Sequence, residues 1–203
     1  GNAYTIVIAN GDATGSTASE FTSINGKTTV AVDASAVTGL ASDNISNIKT
    51  LLTAGNDTNQ FTSASFGSLT GVTVSDTTLS GSDLADSIDQ ANSATGDTSV
   101  VFTITAADEI QGTEANFTAL LADEGNSQIS ITDQNLNVNS GTLTVDNANL
   151  LGATTSGKVT ATIATTETVT ELATLSADGG TNDLTIVIRA ADATAATAAQ
   201  LNT

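Results

Sequence analysis

Apolar and polar residues alternate over short runs along this chain: Tyr4-Thr-Ile-Val-Ile8, Val30-Ala-Val32, Val72-Thr-Val74, Phe102-Thr-Ile104, Ile129-Ser-Ile131, Leu143-Thr-Val145, Val159-Thr-Ala-Thr-Ile163 and Leu184-Thr-Ile-Val-Ile188. The period is two and β-branched or aromatic residues dominate, so each run predicts a strand. Between runs the apolar spacing becomes helical, at Phe21 and Ile24, Leu84 and Ile88, Phe117, Leu120 and Leu121, and Leu172 and Leu175. Thr17-Ala-Ser-Glu20 and Thr168-Val-Thr-Glu171 have the capping-box form, in which hydroxyl and carboxylate satisfy each other's orphaned backbone donors. Gly26, Gly96, Gly125, Gly157 and Gly179 stand where such helices should stop, in the left-handed position after a helix end. Thr53–Gly71 and Gln134–Gly141, rich in Asn, Ser, Thr and Gly, predict irregular loops.

The pattern also repeats. Residues 1–23 match residues 181–203 at 10 of 23 positions without a gap, at an offset of 180. A third copy, Ser99-Val-Val-Phe-Thr-Ile104 followed by Asp108, Thr113, Phe117 and Thr118, lies at an offset of 96. Strand signals recur at irregular intervals of about 18–30 residues, a length that cannot bury an apolar side alone and needs stacked neighbours. The expected fold is therefore an α/β solenoid, with a parallel β-sheet on one side and short helices on the other. An all-β solenoid with irregular corners is the alternative. In this reading residues 1–203 form one elongated array, a window of a longer chain.

Composition narrows the chemistry. The hydrophobic fraction is 39% with only 3% aromatics, which predicts a thin aliphatic core. Cys, Met, Trp, Pro and His are absent, which excludes disulfides, thiolate metal sites and imidazole catalysis. No run of 18 apolar residues predicts a membrane span, and no basic-then-apolar opening predicts a signal peptide. The net charge of −18, with Lys27, Lys49, Lys158 and Arg189 the only cations, is the wrong sign for neutralising phosphates, so nucleic acid is not an expected partner. A chain this acidic should attract cations and repel its own copies.

Two polar columns accompany the strands. Asp12, Asp76, Asp108, Asp133, Asp146 and Asp192 each follow a strand. If consecutive units stacked, these carboxylates would approach at about 4.8 Å and could hold calcium; otherwise each makes an Asx-type bond to its own turn and faces water. Thr5, Thr73, Thr103, Thr144 and Thr185 occupy outward strand positions, where a ladder of hydroxyls and methyls would resemble an ice-binding face; alternatively Thr is simply a good polar strand former. Catalysis is not expected. The acidic pairs Asp108-Glu109 and Asp123-Glu124 are adjacent in sequence and point apart on a strand or a helix. The sequons at Asn44, Asn56 and Asn116 permit glycosylation.

The stretches Gly1-Asn-Ala-Tyr-Thr-Ile6, Ile24-Asn-Gly-Lys-Thr-Thr-Val-Ala-Val-Asp-Ala-Ser35 and Glu171-Leu-Ala-Thr-Leu-Ser176 resemble the Thr/Ala/Asp-rich repeats of giant cell-surface proteins, adhesin-like or surface-layer-like, of marine cyanobacteria. That resemblance implies a non-catalytic, extracellular role at the cell surface as an elongated rod or filament. Its partners would be the chain itself, head to tail or through the next covalent repeat, and cell-envelope polysaccharide. A second stretch, Gly179-Gly-Thr-Asn-Asp183-Leu-Thr-Ile186, is similar to the calcium repeat of RTX proteins, which implies a calcium-stabilised adhesin module. It lacks the third glycine of that repeat, carries its Asp one position early and occurs once.

Overall fold

The computed structural model describes residues 2–9, 14–176 and 181–193. The chain divides into two compact units, one made of residues 1–107 and 120–130 and the other of residues 108–119 and 131–203.

In the first unit, strand alternation becomes a parallel sheet of β1 (Gly39–Asp43), β2 (Gly71–Val74) and β4 (Val101–Ile104), in that order. β2 buries Val72 and Val74 and turns Thr73 outward, and it pairs with β4 from Gly71↔Val101 to Val74↔Ile104. β3 (Thr78–Ser80) is not in this sheet, although it lies between β2 and β4 in sequence. The inner face is covered by helices. α1 (Ala18–Asn25) buries Ala18 and Phe21, α2 (Ile45–Gly55) buries Ile45, Ile48, Leu51 and Leu52, and α3 (Gly81–Thr95) buries Leu84, Ile88 and Ala91. Residues 56–70 form turns rather than an element, yet they carry Phe61, Phe66 and Leu69 into the core. The Phe66 ring meets Phe61 at 5.2 Å and Phe21 at 6.0 Å, both edge-on.

In the second unit, β5 (Glu109–Gly112), β6 (Asn135–Val138), β7 (Val159–Thr162) and β8 (Asp183–Thr185) lie side by side in sequence order, all parallel. α4 (Glu114–Gly125) contributes its first half to this unit, followed by α5 (Val145–Thr154), α6 (Val169–Leu172) and α7 (Ala190–Ala193). α5 buries Val145, Ala148 and Leu151 and packs on β7, where Val159 and Ala161 are buried.

The expected solenoid, in either its α/β or its all-β form, is therefore corrected. The chain is an α/β fold with two parallel sheets, of three and five strands, and seven helices among the described residues, with no structural repeat. Sequence periodicity survives, but successive strands do not continue one ladder: β2 pairs with β4 and passes over β3. Local expectations change for local reasons. Leu143-Thr-Val145 starts a helix instead of forming a strand, because the Thr144 hydroxyl accepts the Asn147 N–H as an N-cap and Leu143 is left with a single bridge to Ile163. Ile129 and Ile131 are buried outside any strand. Asn135-Leu-Asn-Val138, expected as loop, is an inner strand, since Leu136 and Val138 supply one apolar face and Asn135 and Asn137 the polar one. Tyr4–Ile8 forms no strand and makes a single isolated bridge, Val7↔Asp33, with a second just before it at Asn2↔Thr28.

Both capping boxes form, with the Thr17 and Thr168 hydroxyls accepting the Glu20 and Glu171 backbone N–H groups and each Glu accepting in return. The left-handed glycine is found only once among those expected, at Gly96 (φ 77°). Gly26 is right-handed, Gly125 ends α4 within the helix, and Gly179 lies outside the described residues. Gly157 is glycine for want of space: a Cβ there would lie 2.3 Å from the Gln134 carbonyl oxygen.

Candidate functional site

A helix leaves its first backbone N–H groups unpaired and carries partial positive charge at that end. In this chain carboxylates from distant segments satisfy them. Asp43, closing β1, accepts the Ser19 N–H at the start of α1 at 2.8 Å. Asp76, two residues beyond β2, accepts the Ile45 N–H at the start of α2 at 2.7 Å. In the second unit Glu114, the first residue of α4, accepts the Thr144 N–H at 3.0 Å, the Thr144 hydroxyl at 2.8 Å and the Asn147 side-chain amide at 2.7 Å at the start of α5. Burial pushes the Glu114 carboxyl up, but the bonds from Thr144 and Asn147 outweigh it and hold the group below its ordinary value. Asp43 behaves likewise: burial raises it, while Asn47, Ser19 and Asn44 pull it down further. The sequence pattern singles out Asp76 but not Asp43 or Glu114. The signal for Asp43 is the pair Asp43-Asn44, a strand-end carboxylate directly before an N-cap.

Because Glu114 is depressed, its contribution is present above the unfolded carboxyl value and is lost as pH falls through the folded one. Glu114→Gln is therefore expected to cost about 1–2 kcal/mol near neutral pH, the scale of charge-assisted bonds discounted for partial exposure. The gap to the wild-type chain should narrow on acidification to about pH 3. Urea titrations at the two pH values would show a constant gap if the charge were irrelevant.

The other members of the Asp column do not converge. Asp108, Asp133 and Asp146 are exposed, Asp192 is bonded to Arg189 at 2.7 Å, and Asp12 lies outside the described residues. Among the described residues no group of three or more carboxylates is arranged to hold a metal ion. The Thr column is divided. Thr73 and Thr103 are in register on β2 and β4, and Thr185 pairs with Thr162. Thr144 caps a helix, and exposed Thr5 lies in a segment held by isolated bridges. In the second unit the outward row reads Gln111, Asn137, Thr160 and Asp183, a mixed polar surface and not a hydroxyl ladder.

One carboxyl is displaced the other way. Asp123 is half-buried, and this burial, with the charge of Asp89 adding to it, pushes its carboxyl up to about 6. Between the unfolded value near 4 and 6 the folded chain holds a proton that the unfolded chain has released, so stability falls as pH rises through that window. Discounted for its exposed half, the penalty at neutral pH is about 1 kcal/mol. Asp123→Asn should thus raise the melting temperature near pH 8 and leave it almost unchanged near pH 4; equal shifts at both values, by scanning calorimetry, would contradict the assignment.

Open clefts are shallow features beside these groups. One, about 530 Å³, is lined by Ile8, Phe21 and Ile24 with Ser16, Ser19, Glu20 and Ser23; the Glu20 carboxylate there is occupied by its capping box. A second lies over Lys49, whose ammonium is paired with Asp83 and Asp86 at 2.7 Å each. No helix among the described residues is long and apolar enough to cross a membrane. Comparison with protein-family models, with curated proteins and with solved structures finds no match to this chain.

Proposed function

We propose that this chain is a non-catalytic structural segment of an extracellular cell-surface protein, adhesin-like or surface-layer-like. The observation that carries the reading is the use made of three carboxylates: Asp43, Asp76 and Glu114 bind helix N-termini 24, 31 and 30 residues away. Such groups hold segment to segment and are not held ready for a substrate. An acidic exterior with net charge −18 keeps such a segment soluble in saline surroundings. The test is labelling of the intact, unpermeabilised source cells with an antibody raised against the chain. Surface labelling is expected; labelling that appears only after permeabilisation would overturn the reading.

A further inference from the structure

The two copies of the repeated segment expose opposite edges. In an extended strand, successive residues present their backbone N–H and C=O to alternate sides. In the first copy Asn2, Ile6 and Ile8 face the segment at residues 28–33: the Thr29 N–H donates to the Asn2 oxygen at 2.9 Å, the Asp33 N–H to the Ile6 oxygen at 3.0 Å, and the Ile8 N–H to the Asp33 oxygen at 2.8 Å. Ala3, Thr5 and Val7 therefore face away. In the second copy it is Thr185 that faces the sheet, its oxygen accepting the Ile163 N–H at 2.9 Å, so Leu184 and the N–H of Ile186 face away. Each copy thus satisfies the edge that the other leaves open. The side chains beside both edges are apolar and exposed: Val7 is 64% exposed, and Ile186 and Val187 are 46% and 49% exposed.

We propose that the outer edge of β8, continued through Ile188, pairs in parallel with the Ala3–Val7 edge of a second copy of this chain. The register sets Thr185 beside Thr5, Ile186 beside Ile6 and Val187 beside Val7, so that identical β-branched side chains stack at about 4.8 Å. The contact is heterologous: it joins two different edges, so each copy can engage two neighbours and no symmetric pair is required. Unpaired strand edges flanked by apolar side chains favour such addition. The charge of −18 opposes it, so added salt promotes it. The proposal rests on the structural-segment reading and names its partner.

The absence of cysteine gives a clean test. Thr5→Cys and Thr185→Cys, one of them isotopically labelled, are mixed and oxidised at high salt. The register brings the two Cα atoms within disulfide range, so cross-links joining one variant to the other should exceed self-cross-links at least about fivefold. Ile186→Pro and Thr5→Pro each remove one outward-facing N–H without touching the internal ladder, and each should leave only monomer in sedimentation while the melting curve is retained. If one proline variant melts early, the other carries the comparison. Self-cross-links of Thr185→Cys in equal yield, or a 20.1 kDa monomer at every concentration and salt, would overturn the proposal. Either result leaves the surface-labelling outcome untouched, and failed labelling leaves the cross-linking outcome untouched.

Discussion

Phe66→Ala is expected to destabilise the first unit by about 4 kcal/mol, within the range for removing a buried ring from a packed core. Phe66 is fully buried, contacts two other rings edge-on, and sits at φ 60°, a left-handed conformation that few side chains adopt without packing to hold it. Its ring also explains a neighbour. A Cβ on Gly55, at the end of α2, would lie 2.7 Å from the Phe66 ring. Gly55→Ala should therefore be harmful in the wild-type chain but should recover about 1 kcal/mol in the Phe66→Ala background, where it both fills space and improves helix propensity. A double-mutant cycle in guanidinium measures this. Additive effects would mean that the void closes by collapse of other side chains.

Gly157→Ala should destabilise the second unit by about 3 kcal/mol, at the upper end of overpacking costs. The obstruction is a single backbone peptide group: Gln134 oxygen at 2.3 Å, Gln134 carbonyl carbon at 2.6 Å and Asn135 nitrogen at 2.9 Å. Rotating a side chain cannot relieve it. The entry to the β6–β7 pair would have to open, placing at risk the Leu136 N–H to Lys158 oxygen bond of 2.8 Å and the buried Thr155 hydroxyl bond to the Gln134 oxygen of 2.6 Å. Gly125→Ala is the control, because nothing lies within 4 Å of a Cβ at that helical position, and it should be neutral or slightly stabilising. Hydrogen exchange at Leu136 should rise in the first variant and not in the second. Unchanged protection in Gly157→Ala would show that the strands shift as a body at little cost.

Glycine at 157 also shows how far local reading reaches. A helix-stop signal and a steric obstruction demand the same residue, and nothing in the neighbouring sequence separates them. The two capping boxes were legible because every participant lies within four residues. The clasps made by Asp43 and Glu114 were not, because their partners are 24 and 30 residues distant and ordinary in sequence. Strands with two strong inward residues, such as β2, announce themselves. β1 offers only Leu40, and β6 hides Leu136 and Val138 among asparagines, so both were illegible until their neighbours supplied the ladder.

By itself the sequence determined the alternating runs, the boxed helix starts, the acidic balance and the repetition of one segment at an offset of 180. These depend on local periodicity and on composition, which no tertiary contact can alter. Tertiary structure alone decided which strands share a sheet, which carboxylate clasps which helix, and that the repeated segment is bonded along one edge in its first copy and along the other in its second. Pairing is a competition among many strands of similar propensity, settled by register and by the helices packed on them, and that competition leaves no trace in any single run of residues.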